Sequence, residues 1–250
     1  MLSIFTYPRI SSCCLLIYVL SVIFVLTLFG GCSFESKGPK YEIFPPAGGK
    51  GAIVVVASGN SGPGLYRDFS SKLAGLGYYT VLMDGKYLFD PGSLGLIVPG
   101  MENLQTVIAE SKSSPQAIPG KVSLVGFSVG GAGVLSYGTK LKDQVSAVVA
   151  YYPAITTLGR DMKTLAAGFQ TPVLVFAGEK DLYHNCCLIY TMRELANAPK
   201  TVPFELVEYP KAHHGFTIKS LPFAYRAEDA SDSWARTVTF LNRLHPPGGK

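Results

Sequence analysis

The sequence predicts an α/β fold, a three-layer sandwich in which helices cover both faces of a mostly parallel, doubly wound sheet. Two observations predict it. Short apolar runs rich in Val and Ile alternate with longer stretches whose apolar residues have helical spacing. The short runs are apolar throughout rather than alternating, as expected for strands buried between two helical layers. Crossovers in such a sheet are right-handed.

The elements follow from these patterns in chain order. The predicted strands are residues 52–57 (AIVVVA), 79–83 (YTVLM), 122–126 (VSLVG), 147–152 (AVVAYY), 172–177 (PVLVFA) and 204–209 (FELVEY). The predicted helices, whose apolar residues recur every three or four positions, are 65–76, 102–113, 129–141, 185–198 and 231–244. No internal repeat or second domain boundary interrupts this alternation.

The first residues have the features of an export signal or membrane anchor. Arg9 is the only positive side chain before a long uncharged span, residues 10–34, which could cross a bilayer once. The span ends in LTLFGGCS, which resembles the lipobox of bacterial lipoproteins and makes Cys32 the expected lipid attachment site, although Phe29 stands where Leu is commonest. An uncleaved signal anchor and ordinary secretion are the alternatives.

All three alternatives place the remainder outside the cytoplasm, with a lipoprotein of the bacterial cell envelope favoured. Residues 1–31 are therefore predicted to be signal peptide or anchor. Residues 32–50, rich in Gly, Pro and Lys, are predicted to be a flexible tether, with folded chain beginning near Tyr41. Residues 51–250 are predicted to be one α/β domain. Its predicted membrane partner is the bilayer that holds the N-terminal lipid or anchor.

Composition excludes several classes of function. The formal net charge of +5 is spread thinly, without basic runs or interleaved aromatics, so no nucleic-acid partner is expected. The sequence has no metal-ligand cluster and no G-x-G-x-x-G motif, so neither a metal nor a cofactor is predicted. None of these features predicts an oligomeric state.

Cysteine usage does not indicate a disulfide framework. Cys186 and Cys187 are the only cysteines of the predicted domain. Neighbouring cysteines can form only a strained vicinal bridge. The sequence therefore favours two half-buried thiols near the start of a helix.

The motif GFSVGG places Ser128 between a predicted strand and a predicted helix. A nucleophile on such a tight turn needs small neighbours, and Gly126, Gly130 and Gly131 supply that room. The helix N-terminus would direct its amides toward a developing oxyanion. The alternative is a glycine-rich turn that only packs helix on strand.

A serine nucleophile needs a base and a carboxylate, in the chain order Ser, Asp or Glu, His. Asp181 follows a strand within AGEKD, and His214 follows the last strand within HHGF. Both lie at the carboxyl edge of the predicted sheet, where active sites of open α/β folds assemble. Glu179 and His213 are the alternatives for the two roles.

The second oxyanion donor is expected in the loop ASGNSGPG, which follows the first long strand. Its glycines allow a backbone amide to face the site, and Asn60 stands at the expected position. These glycines could equally form a plain turn.

The motifs GFSVGG, AGEKD and HHGF, in this order and spacing, resemble the α/β-hydrolase fold and, within it, the dienelactone hydrolase family. The strand end AVVAYYP is similar to that family too. The resemblance covers about residues 52–244. The family's founding enzymes carry cysteine where this chain has Ser128, which leaves ester hydrolysis as the expected reaction but puts the dienelactone substrate in doubt.

By this resemblance, Ser128 would attack an ester carbonyl, His214 would carry the proton, and Asp181 would hold the imidazole. The amides of Val129 and Asn60 would bind the oxyanion. The expected partner is a small-molecule ester with a small or medium acyl group. Acyl transfer or peptide cleavage on the same triad is one alternative, and a non-catalytic envelope lipoprotein that uses the fold for binding is another.

Overall fold

The structure is a computed structural model that describes residues 38–89, 99–158 and 161–249. Among these residues, seven strands form one sheet: β1 Tyr41–Phe44, β2 Ile53–Ala57, β3 Tyr79–Met83, β4 Val122–Phe127, β5 Val145–Tyr151, β6 Val173–Gly178 and β7 Phe204–Tyr209. Their order across the sheet is β1-β3-β2-β4-β5-β6-β7. Strand β1 is antiparallel to β3, and the other neighbours pair in parallel. This is the predicted fold class.

In the part of the chain that the structure describes, six α-helices pack against the sheet: α1 Arg67–Gly75, α2 Gly100–Lys112, α3 Val129–Ser136, α4 Met162–Ala167, α5 Ile189–Asn197 and α6 Ala227–Leu244. Alternate residues of β2 point to opposite faces and into two separate apolar clusters. Helices α2 to α5 bury apolar side chains in the cluster that contains Val55, whereas α1 and α6 do so in the one that contains Val56. The predicted three layers are therefore present.

Several boundaries differ from the prediction. Strand β1 pairs with β3 from Tyr41 to Phe44, so these residues of the predicted tether belong to the folded domain. Helix α3 ends at Ser136 rather than at residue 141, with a 3₁₀ turn at Gly138–Lys140 after it. Helix α4 was not predicted, because its six residues are too few to show a helical period.

The predicted signal or anchor, including Cys32, lies outside the described residues. Within residues 38–89, 99–158 and 161–249, no helix is long and apolar enough to span a bilayer.

The topology determines where the polar side chains meet. Strands β4, β6 and β7 run in parallel, so their carboxyl ends lie on one edge of the sheet. The segments that follow these three strands carry Ser128, Asp181 and His214, respectively. Asp181 and Ser128, which precede His214 by 33 and 86 positions in the sequence, are thereby brought within hydrogen-bonding distance of it.

Candidate active site

Ser128 occupies a sharp turn between β4 and α3. Its φ of 52° and ψ of −114° lie in a region that non-glycine residues seldom adopt, at a conformational cost of about 1–3 kcal/mol. Main-chain hydrogen bonds hold it there: its N–H donates to Tyr151 O over 3.0 Å. Its carbonyl accepts from the N–H groups of Ala132 and Ala154, each over 2.9 Å. The backbone around it therefore fixes the direction of the hydroxyl.

The glycines around the serine are required by space, as predicted. A Cβ atom on Gly126 would overlap the carbonyl of Gly130, and one on Gly130 would overlap the carbonyl of Ala57. A Cβ atom on Gly131 would lie 3.0 Å from the Pro153 Cβ, which is closer than ordinary van der Waals contact. Since backbone carbonyls cannot move aside as a flexible side chain can, the first two positions exclude larger residues.

Three segments of the chain come into close main-chain contact next to the serine. A Cβ atom on Gly85 would overlap the carbonyl of Ser58 and would lie 2.8 Å from the Cα of Gly130. The Gly85 N–H also donates to the Ser58 Oγ over 3.2 Å. We call the contact of Ser58, Gly85 and Gly130 the backbone junction.

The predicted triad residues lie within hydrogen-bonding distance of one another. His214 Nε2 lies 3.0 Å from Ser128 Oγ, and His214 Nδ1 lies 2.9 Å from Asp181 Oδ2. A carboxylate only accepts, so Asp181 selects the tautomer with the proton on Nδ1. The lone pair of Nε2 then faces the serine hydroxyl, which donates to it. The side chain of Asp181 has no exposed surface, while that of His214 is 16% exposed and reachable from solvent.

Two tyrosine rings fix the plane of the His214 imidazole. The Tyr183 ring stacks on it at a centroid distance of 4.6 Å and an interplanar angle of 10°. The Tyr152 ring contacts it edge-on at 4.9 Å, from a backbone with φ of 36°. No sequence motif predicts a role for either tyrosine. Tyr152 directly follows β5 and Tyr183 lies two residues after Asp181, and these positions are the sequence features that place both tyrosines near the site.

The competing residues are occupied elsewhere. Glu179 forms an ion pair with Arg193 over 3.3 Å. His213 is exposed, whereas the next residue, His214, is half-buried and directed at the serine. Gly215 has a φ of 75°, a left-handed conformation that turns the loop sharply after the histidine. The geometry thus favours Asp181 and His214 over both alternatives.

The candidate oxyanion donors are the amide of Val129 and an amide of the turn after β2. Val129 is the first residue of α3, so its N–H has no acceptor within the helix and lies at the positive end of the helix dipole. Asn60 is exposed in the turn after β2. Its neighbour Gly59 lies next to the serine, since a Cβ atom there would lie 3.4 Å from the Ser128 Cβ. Asn60 as the donor stays a prediction, with Gly59 as the adjacent candidate.

Buried hydroxyls surround the same turn. Burial raises the pKa of Tyr66 to about 12, and its hydroxyl contacts the hydroxyl of Tyr152 and the backbone of Gly59. The Tyr152 hydroxyl in turn lies 2.9 Å from Thr217 Oγ1, and burial also raises its pKa. Both phenols therefore stay protonated at neutral pH and act as neutral polar groups beside the serine.

A cavity of about 690 Å³ adjoins these hydroxyls on the face covered by α1 and α6. Its walls include Tyr66, Phe69, Thr217 and Trp234. Tyr66 and Thr217 thus belong both to the hydroxyl cluster and to the cavity wall. Ser128 does not line this space. The cavity is therefore adjacent to the candidate active site and not part of it.

The two cysteines correct an expectation from the sequence. Cys186 and Cys187 are joined by a disulfide, not present as separate thiols, and are 6% and 1% exposed rather than half-buried. They lie in the bend between a 3₁₀ turn, Tyr183–Asn185, and α5. The correction has a geometric reason, because this irregular backbone brings the two sulfur atoms together, as a regular helix would not.

Comparison with known proteins agrees with this architecture. The model of the dienelactone hydrolase family matches residues 98–245. A curated relative, "Protein usf" of Aquifex pyrophilus, is 26% identical over 227 residues, which are 83% of this chain and 95% of that protein.

Solved structures share the α/β-hydrolase fold. A putative dienelactone hydrolase from Klebsiella pneumoniae has a TM-score of 0.66 and 21% identity, covering 82% of this chain and 99% of its own. An esterase from Thermogutta terrifontis with propionate bound has a TM-score of 0.64 and 18% identity, covering 87% of this chain and 93% of its own. The corresponding butyrate-bound structure has a TM-score of 0.63.

Proposed function

Because this chain belongs to the dienelactone hydrolase family, we propose that it is a serine hydrolase that cleaves carboxylic esters of small or medium acyl groups. The observation that carries the proposal is the hydrogen-bond relay from Ser128 Oγ through both nitrogens of His214 to Asp181. A serine hydroxyl is a weak nucleophile until a base removes its proton, and this relay places such a base 3.0 Å away.

The reaction proceeds through an acyl-enzyme. As Ser128 Oγ attacks the ester carbonyl, its proton passes to His214 Nε2, and Asp181 stabilises the imidazolium through Nδ1–H. His214 then returns the proton to the departing alcohol. In the second half, a water molecule gives a proton to Nε2 as it attacks the acyl carbon, and His214 then returns that proton to Ser128 Oγ as the carboxylic acid is released.

Charge that develops on the carbonyl oxygen needs donors that are already in place. The amide of Val129 at the start of α3 is one such donor, and an amide of the turn after β2, at Asn60 or its neighbour Gly59, is the other. Val129 and Gly59 are buried, so little water competes for their amides.

The acyl preference is inferred by analogy and from the site itself. The Thermogutta terrifontis esterase has structures with propionate and butyrate bound, which are short acyl groups. In this chain, the rings of Tyr152 and Tyr183 crowd the histidine on two sides. We therefore expect acetyl to butyryl esters to be turned over faster than long-chain esters.

A fluorophosphonate probe tests the proposal directly. It should label the purified wild-type protein at Ser128, as shown by peptide mass spectrometry, and should not label Ser128→Ala. A panel of p-nitrophenyl esters, assayed with and without alcohol or amine acceptors, then separates hydrolysis from acyl transfer. Absence of labelling in a folded wild-type protein would favour a binding module over an enzyme.

We further propose that the enzyme is held at the bacterial cell envelope by a lipid on Cys32. The support is the sequence LTLFGGCS after a long uncharged span. Cells that express the full chain should incorporate labelled palmitate into it, and Cys32→Ser should abolish the labelling. A full-length mass and unchanged membrane retention in that variant would instead indicate an uncleaved anchor.

A further inference from the structure

The Cys186–Cys187 disulfide lies beside the proposed catalytic base. The two Sγ atoms and a ring nitrogen of His214 all lie within 4.8 Å of one another. Both cysteines are buried, so the sulfur pair forms part of the wall behind the imidazole. Two sulfur atoms and an imidazole are a candidate set of metal ligands. The proposed hydrolytic reaction uses the imidazole but not the sulfur atoms.

The main chain holds this pair in place from two sides. The Cys186 carbonyl accepts a hydrogen bond from Thr156 N–H over 2.9 Å, and the Leu188 N–H donates to Thr156 Oγ1 over 3.3 Å. Before the pair, His184 and Asn185 have φ values of 46° and 53°, which reverse the chain toward the histidine. These hydrogen bonds do not involve the sulfur atoms, so reduction of the disulfide leaves them in place.

The imidazole is already oriented as metal-binding histidines are. In protein metal sites, the histidine that binds the ion donates its other N–H to a carboxylate, which fixes the ring and raises its basicity. Asp181 does this for His214, over 2.9 Å at Nδ1. The lone pair of Nε2 thus remains available, with Ser128 Oγ at 3.0 Å from it.

We propose that reduction of the Cys186–Cys187 disulfide creates a Zn²⁺ site whose ligands are the two cysteine thiolates and Nε2 of His214. Thiolate and imidazole ligands select zinc over magnesium or calcium, and a Cys₂His set with one open position is a known zinc coordination. Ser128 Oγ or a water molecule would occupy the fourth position.

The chemistry balances with a dithiol as reductant. Two electrons and two protons pass from the dithiol to the disulfide, so that the dithiol becomes a disulfide and Cys186 and Cys187 become thiols. Binding of Zn²⁺ then releases the two thiol protons and leaves a site without net charge, since two thiolates neutralise the ion.

The distances are compatible with tetrahedral coordination. Zn–S bonds of about 2.3 Å and Zn–N bonds of about 2.0 Å place ligand atoms roughly 3.5–3.8 Å apart. Atoms that lie within 4.8 Å of one another need to approach by about 1.3 Å at most to reach these separations. Opening the S–S bond itself provides the separation between the sulfur atoms.

Zinc on Nε2 removes the lone pair that accepts the serine proton, so the zinc-bound form cannot hydrolyse esters. This consequence rests on the proposed function, whereas zinc binding does not. The protein would then be active when oxidised and sensitive to zinc when reduced.

The test measures zinc binding and turnover separately on the full chain. Wild type is compared before and after dithiothreitol treatment and anaerobic desalting, beside the double variant Cys186→Ala/Cys187→Ala, which keeps Cys13, Cys14 and Cys32. Isothermal titration with Zn²⁺ should give one more bound ion per chain in reduced wild type than in the variant. Oxidised wild type should match the variant, and Co²⁺ should give thiolate charge-transfer absorption in reduced wild type alone.

The hydrolysis assay and a third variant complete the test. Zn²⁺ should lower p-nitrophenyl acetate turnover at least tenfold in reduced wild type, reversibly with a chelator, and His214→Ala should weaken zinc binding at least tenfold. Equal zinc stoichiometry in oxidised and reduced wild type would overturn the proposal even if the double variant failed to fold. Zinc binding that left turnover unchanged would also overturn it, as would a zinc affinity that was the same in His214→Ala as in the wild type. If no form hydrolysed esters, the proposed function would fail while the titrations still decided the zinc site.

Discussion

Strand β4 carries a serine–histidine pair at each of its ends, and the two pairs are nearly equal in distance. Near its start, Ser123 Oγ lies 2.9 Å from His245 Nδ1, and just after its end, Ser128 Oγ lies 3.0 Å from His214 Nε2. A serine–histidine hydrogen bond is therefore not enough to define an active site. What differs between the two ends is the third group and the backbone.

His214 has a carboxylate on its far nitrogen and a serine at a strained turn that opens a helix. The His245 ring instead hydrogen-bonds to the main chain of Lys121, and Ser123 lies within β4, fully buried, next to an irregularity in the pairing of β4 with β5. Burial lowers the pKa of His245 to about 4, so it stays neutral and serves the packing of the chain end. The same two residue types thus contribute to packing at one end of β4 and form the candidate catalytic pair at the other.

Removing each serine hydroxyl should give the largest contrast. Ser128→Ala is expected to lower kcat/KM for p-nitrophenyl acetate about 10⁵-fold or more, because the nucleophile is lost. Ser123→Ala should change kcat/KM less than about threefold, while lowering the free energy of unfolding by about 1–2 kcal/mol through an unsatisfied imidazole nitrogen. Steady-state kinetics and urea denaturation measure the two effects. Comparable kinetic losses in both variants would mean that the pairs had been assigned wrongly.

The adjacent histidines of the HHGF motif, His213 and His214, allow a second comparison at the Ser128 end of β4. His214→Ala should lower kcat on the order of a thousandfold or more, because it removes the general base. His213→Ala should lower kcat less than tenfold, since that side chain is exposed and lies one position away. Both variants are assayed over the same pH range. The reverse pattern would transfer the catalytic role to His213, and small losses in both would reject the triad.

The smallest expected effect is the pH dependence of stability due to His245. Its pKa is lowered from 6.5 to about 4 in the folded protein, so as pH falls the unfolded chain takes up the proton first. Stability is therefore complete above about pH 6.5 and declines toward pH 4, by on the order of 2 kcal/mol after allowance for partial exposure. His245→Gln should flatten the pH dependence of the free energy of unfolding, measured by urea denaturation between pH 7.5 and 4.5.

A matched control is available for this measurement. His213→Gln removes a histidine that is exposed, so its curve should run parallel to that of the wild type. If the wild type, His245→Gln and His213→Gln all showed the same slope, His245 would have an ordinary pKa in the folded protein.

The fold was largely predictable because its central strands, β2 to β6, are mostly apolar and most of its helices are long enough to show a helical period. Strand β1 was missed because YEIF is short, partly polar and followed by two prolines, so only its pairing with β3 identifies it. Helix α4 was missed for its length. In each case the stabilising partner is distant in sequence, and tertiary pairing overrides a weak local signal.

The site shows the same division between local and distant information. Glycines at fixed offsets identify the turn at Ser128, because their requirement for space is local. The stacking of Tyr183 on His214 and the disulfide beside it depend on how the loop after β6 folds back, which no periodic pattern encodes. The ambiguity between Gly59 and Asn60 has the same origin, since one residue of register in a turn decides which amide faces the serine.

The backbone junction of Ser58, Gly85 and Gly130 bears on how this chemistry can change over evolution. Main-chain hydrogen bonds hold the backbone of residue 128 next to this junction, so the turn itself does not depend on whether the side chain is serine or cysteine. Serine and cysteine differ by a single nucleotide in several of their codons, and by one atom in the side chain. A lineage could therefore pass between oxygen and sulfur nucleophiles in one mutational step, with the scaffold unchanged and only the preferred substrate under selection.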